Sequence, residues 1–332
     1  MIICWINYRK SLNDCVLKMQ NQIIEFLKRT ENYFSGEELS QQLKISRAGI
    51  WKNIEELRKE GYHIEAVPHL GYRLIATPDK LIPREIQHGL KAKVFGRRIV
   101  YHETIASTMD EAFRLGLEGA PEGTVVVAEQ QTKGKGRLGR KWISPKGKGI
   151  YMSIIVRPNL SPMDTTKLTL MSAEGVCQAV NQYAGGKAKI KWPNDVLVNS
   201  HKLAGILTEL SAEMDRVRFI VIGVGINVNT ALVALPARAT SLRIEAKKQI
   251  SRIELIKDVL YRLEKLYMEV SVRGFSSIIE QWKDFSSTLG KRVRIDDVEG
   301  EVIGLDENGG LMIRNHKGII VKRMTGDVVY VG

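Results

Sequence analysis

The sequence predicts an α+β fold in three parts: an N-terminal winged helix-turn-helix, a central mixed α/β domain and a C-terminal SH3-like β-barrel. Three observations predict it. Capped amphipathic helices and then a short hairpin fill residues 19–78. Apolar strands alternate with helices over 84–288, and over 289–332 the pattern changes to short strands separated by glycine-bearing turns. A chain of 332 residues, 44% apolar and 26% charged, has the length for two or three domains with a real core. No apolar run of about 18 residues occurs. A transmembrane helix is therefore excluded and no membrane partner is expected. Residues 1–18 lack the pattern of a signal peptide and do not join the helical periodicity that begins at Met19. They read as an extension, either a disordered tail or a start placed upstream of the true initiator Met19, the second being favoured.

Each element has a local reason. Ile23, Ile24, Phe26 and Leu27 give the first helix one apolar face. Ser35 and Glu38 have the spacing of a capping box and open a second helix ending near Leu43. After a tight turn at Lys44-Ile45, Ser46 caps a third helix, in which Ile50, Ile54 and Leu57 repeat at i, i+4 and i+7. Gly61 ends it, and His63 to Ile75 reads as two strands around a turn. Helix, helix-turn-helix and hairpin together make the winged plan. Thr77-Pro78-Asp79 and Ile82-Pro83 mark a linker. Beyond it, strands are expected at 124–128, 150–156, 187–199, 203–210 and 219–227, with helices at 109–117, 164–184 and 251–270. Ser251 and Glu254 cap the last of these. Strands near 293–295, 301–305, 311–314, 319–322 and 328–331 form the barrel.

Fifty Lys and Arg against 37 Asp and Glu leave a net charge of +13, which suggests an anionic partner. Its position matters more than its size. Residues 19–80 carry nine basic and nine acidic side chains, whereas 81–332 carry +11. The stretch 131–149 holds seven cations and no acid. Cys4, Cys15 and Cys177 show neither metal-ligand spacing nor a disulfide framework, which fits a reducing, cytoplasmic compartment.

Three motifs could carry chemistry. In Gly134-Lys135-Gly136-Arg137-Leu138-Gly139-Arg140-Lys141-Trp142, glycines let the backbone approach a ligand and turn N–H groups toward one point, an anion nest. The cations would add charge-assisted bonds to phosphate or carboxylate. The alternative is a mobile basic surface loop. The spacing is neither Walker A nor a dinucleotide fingerprint. In Lys191-Trp192-Pro193-Asn194-Asp195, proline stops a strand and leaves Lys191 at its end, able to neutralise a carboxylate and a phosphate brought together. The alternative is a plain strand-end lysine before a turn. Ser107-Thr108 opens a helix whose hydroxyls and N–H groups could bind polar ligand atoms, or could simply cap it. The six histidines are dispersed, so no nucleophile–histidine pair or metal cluster competes.

Together these pieces resemble one family, the bifunctional biotin–protein ligases that also act as biotin operon repressors. The glycine–lysine–arginine loop and Lys-Trp-Pro-Asn-Asp stand in that family's order and separation. Ser107-Thr108, the strand from Leu203, and Gly223, Gly225 and Asn227 also match. The likeness covers about 19–332. It implies an ATP-dependent, AMP-forming biotin–[acetyl-CoA-carboxylase] ligase. Biotin's carboxylate would attack the α-phosphate of ATP to give biotinyl-5′-AMP and pyrophosphate, with Mg²⁺ assisting. A lysine of the biotin carboxyl carrier protein would then take the biotinyl group. The resemblance places Ser107, Thr108, Met109 and Gln131 at biotin. It places Lys135, Gly136 and Arg137 at biotin and the adenylate phosphate, and Lys191 at the reacting charges, with Arg137 as its catalytic companion. Asp195 would be the Mg²⁺ helper. Lys135 stands where relatives often have Arg, keeping the charge and losing the bidentate fork.

For DNA, the resemblance sends the helix from Ser46 to Asn53 into the major groove, with Arg47, Lys52 and Asn53 reaching outward and the 62–74 wing beside it. Trp51 is unusual in a base-reading helix and is expected to be partly buried. The zero net charge of 19–80 argues for weak binding by one monomer. A homodimer formed when biotinyl-AMP is bound would present two half-sites to operator DNA. Alternatives are a DNA-binding module without a cognate site, a lipoate–protein ligase of the same catalytic fold, and a non-catalytic repressor that senses a small acid.

Overall fold

The computed structural model describes residues 19–29, 31–213 and 216–331; the expectation for residues 1–18 lies outside them. The chain divides into two compact units between Asp79 and Lys80. In the first, helix α1 spans residues 19–27 and buries Ile23, Ile24 and Leu27. Helix α2 (Gly36–Leu43) and helix α3 (Arg47–Lys59) come next. Both caps form as expected: Ser35 Oγ accepts from Glu38 N at 3.0 Å and Ser46 Oγ accepts from Gly49 N at 3.1 Å. Strands β1 (His63–Val67) and β2 (Gly71–Ala76) pair antiparallel as the wing.

The second unit is built on a seven-stranded sheet of order β3-β4-β5-β9-β8-β7-β6. Its strands are β3 (Ile99–His102), β4 (Val125–Ala128), β5 (Gly149–Val156), β6 (Ala188–Lys191), β7 (Asp195–Val198), β8 (His201–Glu213) and β9 (Arg216–Asn227). Only β3 and β4 are parallel. The expected strand over 187–199 is a hairpin, because Trp192-Pro193-Asn194 turns the chain between β6 and β7. The helices are α4 (Pro83–Gln87), α5 (Thr108–Leu117), α6 (Thr165–Ala184), α7 (Leu242–Ala246), α8 (Arg252–Arg273) and α9 (Ser276–Phe285). The short α4 and α7, and α9 behind a glycine break, were not anticipated from the sequence pattern.

Both sheet faces are covered, which is why β4 and β5 read as continuous apolar runs. Alternation still sorts their side chains. Val125, Val127, Ile154, Ile220 and Ile222 join the large core with α6 and α8. Val126, Ile155, Phe219 and Val221 pack on the other face against Met109, Ala112 and Leu115 of α5. An ion pair anchors the edge of this body: Arg252 Nη1 and Glu129 Oε2 lie 2.7 Å apart and both side chains are buried. Glu129 Oε1 also accepts from Leu81 N at 2.7 Å.

Strands β10 (Arg292–Ile295), β11 (Val298–Leu305), β12 (Leu311–Asn315), β13 (Ile320–Arg323) and β14 (Val329–Tyr330) form a five-stranded antiparallel sheet of order β13-β12-β11-β10-β14. Its Val293, Ile295, Val302 and Ile313 belong to the same core as the central sheet. Trp192 holds the two together. Its indole is buried and donates to Gly309 O at 3.0 Å, and its backbone N–H reaches Thr288 Oγ1 at 3.3 Å.

One buried acid makes stability depend on pH. Burial, aided by the charge of Glu269 and opposed by the bond from Gln178, pushes Glu174 on α6 from an ordinary 4.5 up to about 7. Its Oε2 has no hydrogen-bond partner. Between those two values the folded protein keeps a proton that the unfolded chain has released, so stability falls as pH rises through that window. Glu174→Gln should gain up to about 3 kcal/mol over wild type near pH 8, and the gain should vanish near pH 4.5. Urea unfolding at the two pH values measures it, and an equal gain at both would contradict the assignment.

Candidate active site at the glycine-lined end of the sheet

The face of the sheet that carries α5 loses its side chains toward one end. Along β9, Phe219 and Val221 give way on the same side to Gly223 and Gly225. Gly205 on β8 lies directly across from Gly225. Large groups fill the space. A Cβ on Gly225 would stand 2.5 Å from the Trp142 ring, and one on Gly223 would stand 2.4 Å from Met109 Sδ. Above this floor opens a cavity of about 240 Å³.

The basic loop forms the cavity's rim, and it is a closed hairpin. Lys135 and Lys141 bridge antiparallel, Trp142 N donates to Gly134 O at 2.9 Å, and Gly136 N donates to Arg140 O at 2.7 Å. Arg140 N is likewise taken, by Arg137 O at 3.1 Å. The N–H groups of Gly136, Arg140 and Trp142 are thus spent inside the loop and are not available to the expected anion nest. Lys135 pairs with Asp110 of α5, and that bond holds its ammonium above the ordinary lysine range. Arg140 pairs with Asp327, between β13 and β14. Arg137 Nη1 donates to Asn194 Oδ1 at 2.7 Å, which joins the loop to the Lys-Trp-Pro-Asn-Asp turn across 57 positions of sequence.

The structure brings Thr108, Met109, Gln131, Lys135, Gly136 and Arg137 together on the cavity wall. Gln131 Oε1 accepts from Thr108 N at 2.8 Å and from Thr108 Oγ1 at 3.0 Å, and Ser153 Oγ donates to Thr108 Oγ1 at 2.9 Å. Thr108 N is therefore already used by a side chain of the same wall. Ser107 makes no capping bond. Its hydroxyl is buried without a partner, as is the Trp142 Nε1. Trp142 lines the cavity, so its unspent N–H offers a place for a ligand's polar atom, whereas Ser107 is one residue short of the wall, which begins at Thr108.

Lys191 does not itself line the cavity: it sits half-buried at the end of β6, paired across the hairpin with the wall residue Asp195, and its ammonium lies 5.4 Å over the Tyr330 ring. Burial pulls its pKa below the ordinary lysine range, while Asp195 and Asp327 act in the opposite sense. Asp195, the expected Mg²⁺ helper, stands on the cavity wall in an ion pair. Its Oδ1 receives Lys202 Nζ at 2.6 Å and Asn194 Nδ2 at 3.1 Å. Among the described residues, no group of three His, Cys, Asp or Glu is arranged to hold a metal ion.

Sequence reasoning missed several wall residues. Trp142 and Asn194 lie inside the two motifs but had no role there. Lys202, whose ammonium lies 5.6 Å over the Trp142 ring, and Asp327 carried no local signal at all. The loop bringing Ala234, Leu235 and Pro236 to the cavity was also not foreseen.

In the helix-turn-helix, Arg47 and Lys52 are exposed as expected, and the expectations for Asn53 and Trp51 are corrected. Arg47 is paired with Glu37 of α2, and Asn53 Nδ2 turns back to Gly49 O at 2.8 Å. Trp51 is not partly buried but 58% exposed, since Ile50 and Ile54 already fill the core side of α3.

Adding a methyl to the floor should disturb the site from beneath. Gly225→Ala should displace the Trp142 indole and cost about 1–3 kcal/mol of stability. Thermal unfolding and a red-shifted tryptophan emission are the readouts; an unchanged spectrum would mean that the ring does not rest there.

Residues 101–227 match the biotin/lipoate A/B protein ligase family, and residues 19–73 match an HTH domain. The chain is 42% identical to the bifunctional ligase/repressor BirA of Bacillus subtilis, over 91% of this chain and 95% of that one. It is 28% identical to the protein of that name in Escherichia coli, over 89% and 92%. The biotin protein ligase of Aquifex aeolicus, solved with biotin and ATP, superposes with a TM-score of 0.61 at 29% identity, covering 71% of this chain and 99% of that one. By its ligase-family and HTH matches and its identity over nearly the whole length of both chains, the chain belongs to the family of bifunctional biotin ligase/repressors.

Proposed function

We propose that this protein activates biotin with ATP, transfers it to a lysine of the biotin carboxyl carrier domain of acetyl-CoA carboxylase, and represses biotin synthesis or transport operons when its adenylate is bound. The observation that carries the reading is the Arg137–Asn194 bond, which closes the basic loop and the lysine-bearing turn around one cavity. A biotin carboxylate oxygen attacks the α-phosphorus of ATP, and the bond to the bridging oxygen breaks to release pyrophosphate. The acceptor's amine then attacks the biotinyl carbonyl and AMP leaves.

Both steps gather negative charge in a small space, so fixed cations are the main requirement. Lys191 and Arg137 are assigned to the reacting carboxylate and phosphate. The desolvation that lowers the Lys191 pKa also strengthens its field at short range. Ser107, Thr108, Met109 and Gln131 are assigned to biotin, with the unspent Ser107 hydroxyl as its polar contact. Lys135 and Gly136 line the path of the adenylate. Mg²⁺ would arrive with the nucleotide's phosphates, with Asp195 as the carboxylate on the wall to help hold it.

The regulatory half follows from the first unit. A helix-turn-helix with no net charge over 19–80 holds DNA weakly alone. Adenylate-dependent pairing of two copies at a palindromic operator would supply the missing affinity. Such a protein works in the cytoplasm, and no described helix is long and apolar enough to cross a membrane.

Lys191→Ala should reduce biotin transfer to a purified carrier domain by about 10²–10³-fold, the scale of removing one transition-state charge partner. A streptavidin blot over time measures it. Wild-type rates in that variant would remove Lys191 from the mechanism.

A further inference from the structure

The helix-turn-helix leaves one large side chain without a structural task. Helix α3 buries Ile50, Ile54 and Leu57. Trp51 is turned about a quarter of the helix circumference from Ile50 and stands 58% exposed. Among the described residues, it takes part in no hydrogen bond or ring contact. The fold therefore does not use its apolar surface.

The other polar groups of the first turns have partners within the unit, Arg47 through an exposed ion pair. Arg47 is held by Glu37, Asn53 donates to Gly49 O at 2.8 Å, and Ser46 Oγ caps its own helix. The side chains that the first two turns of α3 leave exposed and uncommitted are Ala48, Trp51 and Lys52. Ala48 precedes Trp51 by three positions and Lys52 by four, so the three share one side of the helix. They present a methyl group, an indole face and an ammonium.

That set has no amide to read adenine and no guanidinium fork for guanine, and Lys52 is its one cation, able to serve a guanine edge or a phosphate. The set suits the apolar landmark of the major groove, the C5 methyl of thymine. The ammonium suits a phosphate, which positions the helix without reading sequence. We propose that Trp51, with Ala48 beside it, recognises thymine through its methyl group, while Lys52 fixes α3 on the DNA backbone. The proposal rests on the DNA-binding reading above and adds the base that is read and the contact that reads it.

The test uses the full protein with biotin and ATP. Duplexes enriched from a random-sequence pool by wild-type protein serve as the probe, and each thymine is replaced in turn by uracil, which lacks only the methyl. At one or two positions per half-site, uracil should weaken wild-type binding about 3–10-fold, the range for losing one buried apolar contact. Trp51→Ala should bind the thymine duplex more weakly by a similar factor and be indifferent to uracil at those positions. Trp51→Phe should keep part of the sensitivity. Lys52→Ala should weaken thymine and uracil duplexes alike and reduce the salt dependence. Far-UV circular dichroism should show intact helices in each variant. Equal uracil sensitivity in wild type and Trp51→Ala, or wild-type affinity in Trp51→Ala, would overturn the proposal. Failure of wild-type protein to enrich any duplex would instead overturn the DNA-binding reading, and this inference with it.

Discussion

The close approach of Trp142 and Met109 to strands β8 and β9 is the constraint on which the site depends. The strands face each other there through glycine, and a Cβ on Gly223 or Gly225 would collide with those side chains. Elsewhere on the same sheet face, Phe219 and Val221 fill the equivalent positions and pack on α5. One face is thus core at one end and binding floor at the other, and side-chain volume alone makes the change. The rim depends on the floor. Trp142 belongs to the loop that closes as a hairpin, and that closure uses the backbone donors of Gly136, Arg140 and Trp142.

The same loop connects the site to distant parts of the chain. Lys135 reaches Asp110 on α5, Arg137 reaches Asn194 in the β6–β7 turn, and Arg140 reaches Asp327 among the C-terminal strands. Trp192, one residue from Lys191, donates to Gly309 O and ties those strands to the central core. Each residue of Lys-Trp-Pro-Asn-Asp therefore has a separate physical task. The lysine supplies charge, the tryptophan fixes the C-terminal sheet, the proline turns the chain, and Asn194 and Asp195 receive Arg137 and Lys202. A basic loop of this kind is held by partners rather than free at the surface.

Much of this was legible in the sequence because local chemistry decides it. Ser35, Ser46 and Ser251 cap helices through the bonds their spacing implies, and the alternation of β4 and β5 places their side chains correctly. What stayed hidden depends on contacts between residues far apart in sequence. Nothing near Asp327 or Lys202 signals that they line the cavity. Asp195 looks like a free carboxylate until Lys202 is placed beside it. Asn53 looks like an outward reader until Gly49 O claims it. Trp51 shows the reverse error, since an apolar residue was expected to hide and the filled core behind it left no room.

The claim that this cavity joins biotin to ATP is tested most directly by pyrophosphate exchange into ATP, measured on the purified protein with biotin and, separately, with lipoate. The account predicts exchange that depends on biotin and is absent with lipoate. Exchange with lipoate alone, or none with biotin in a correctly folded protein, would contradict it.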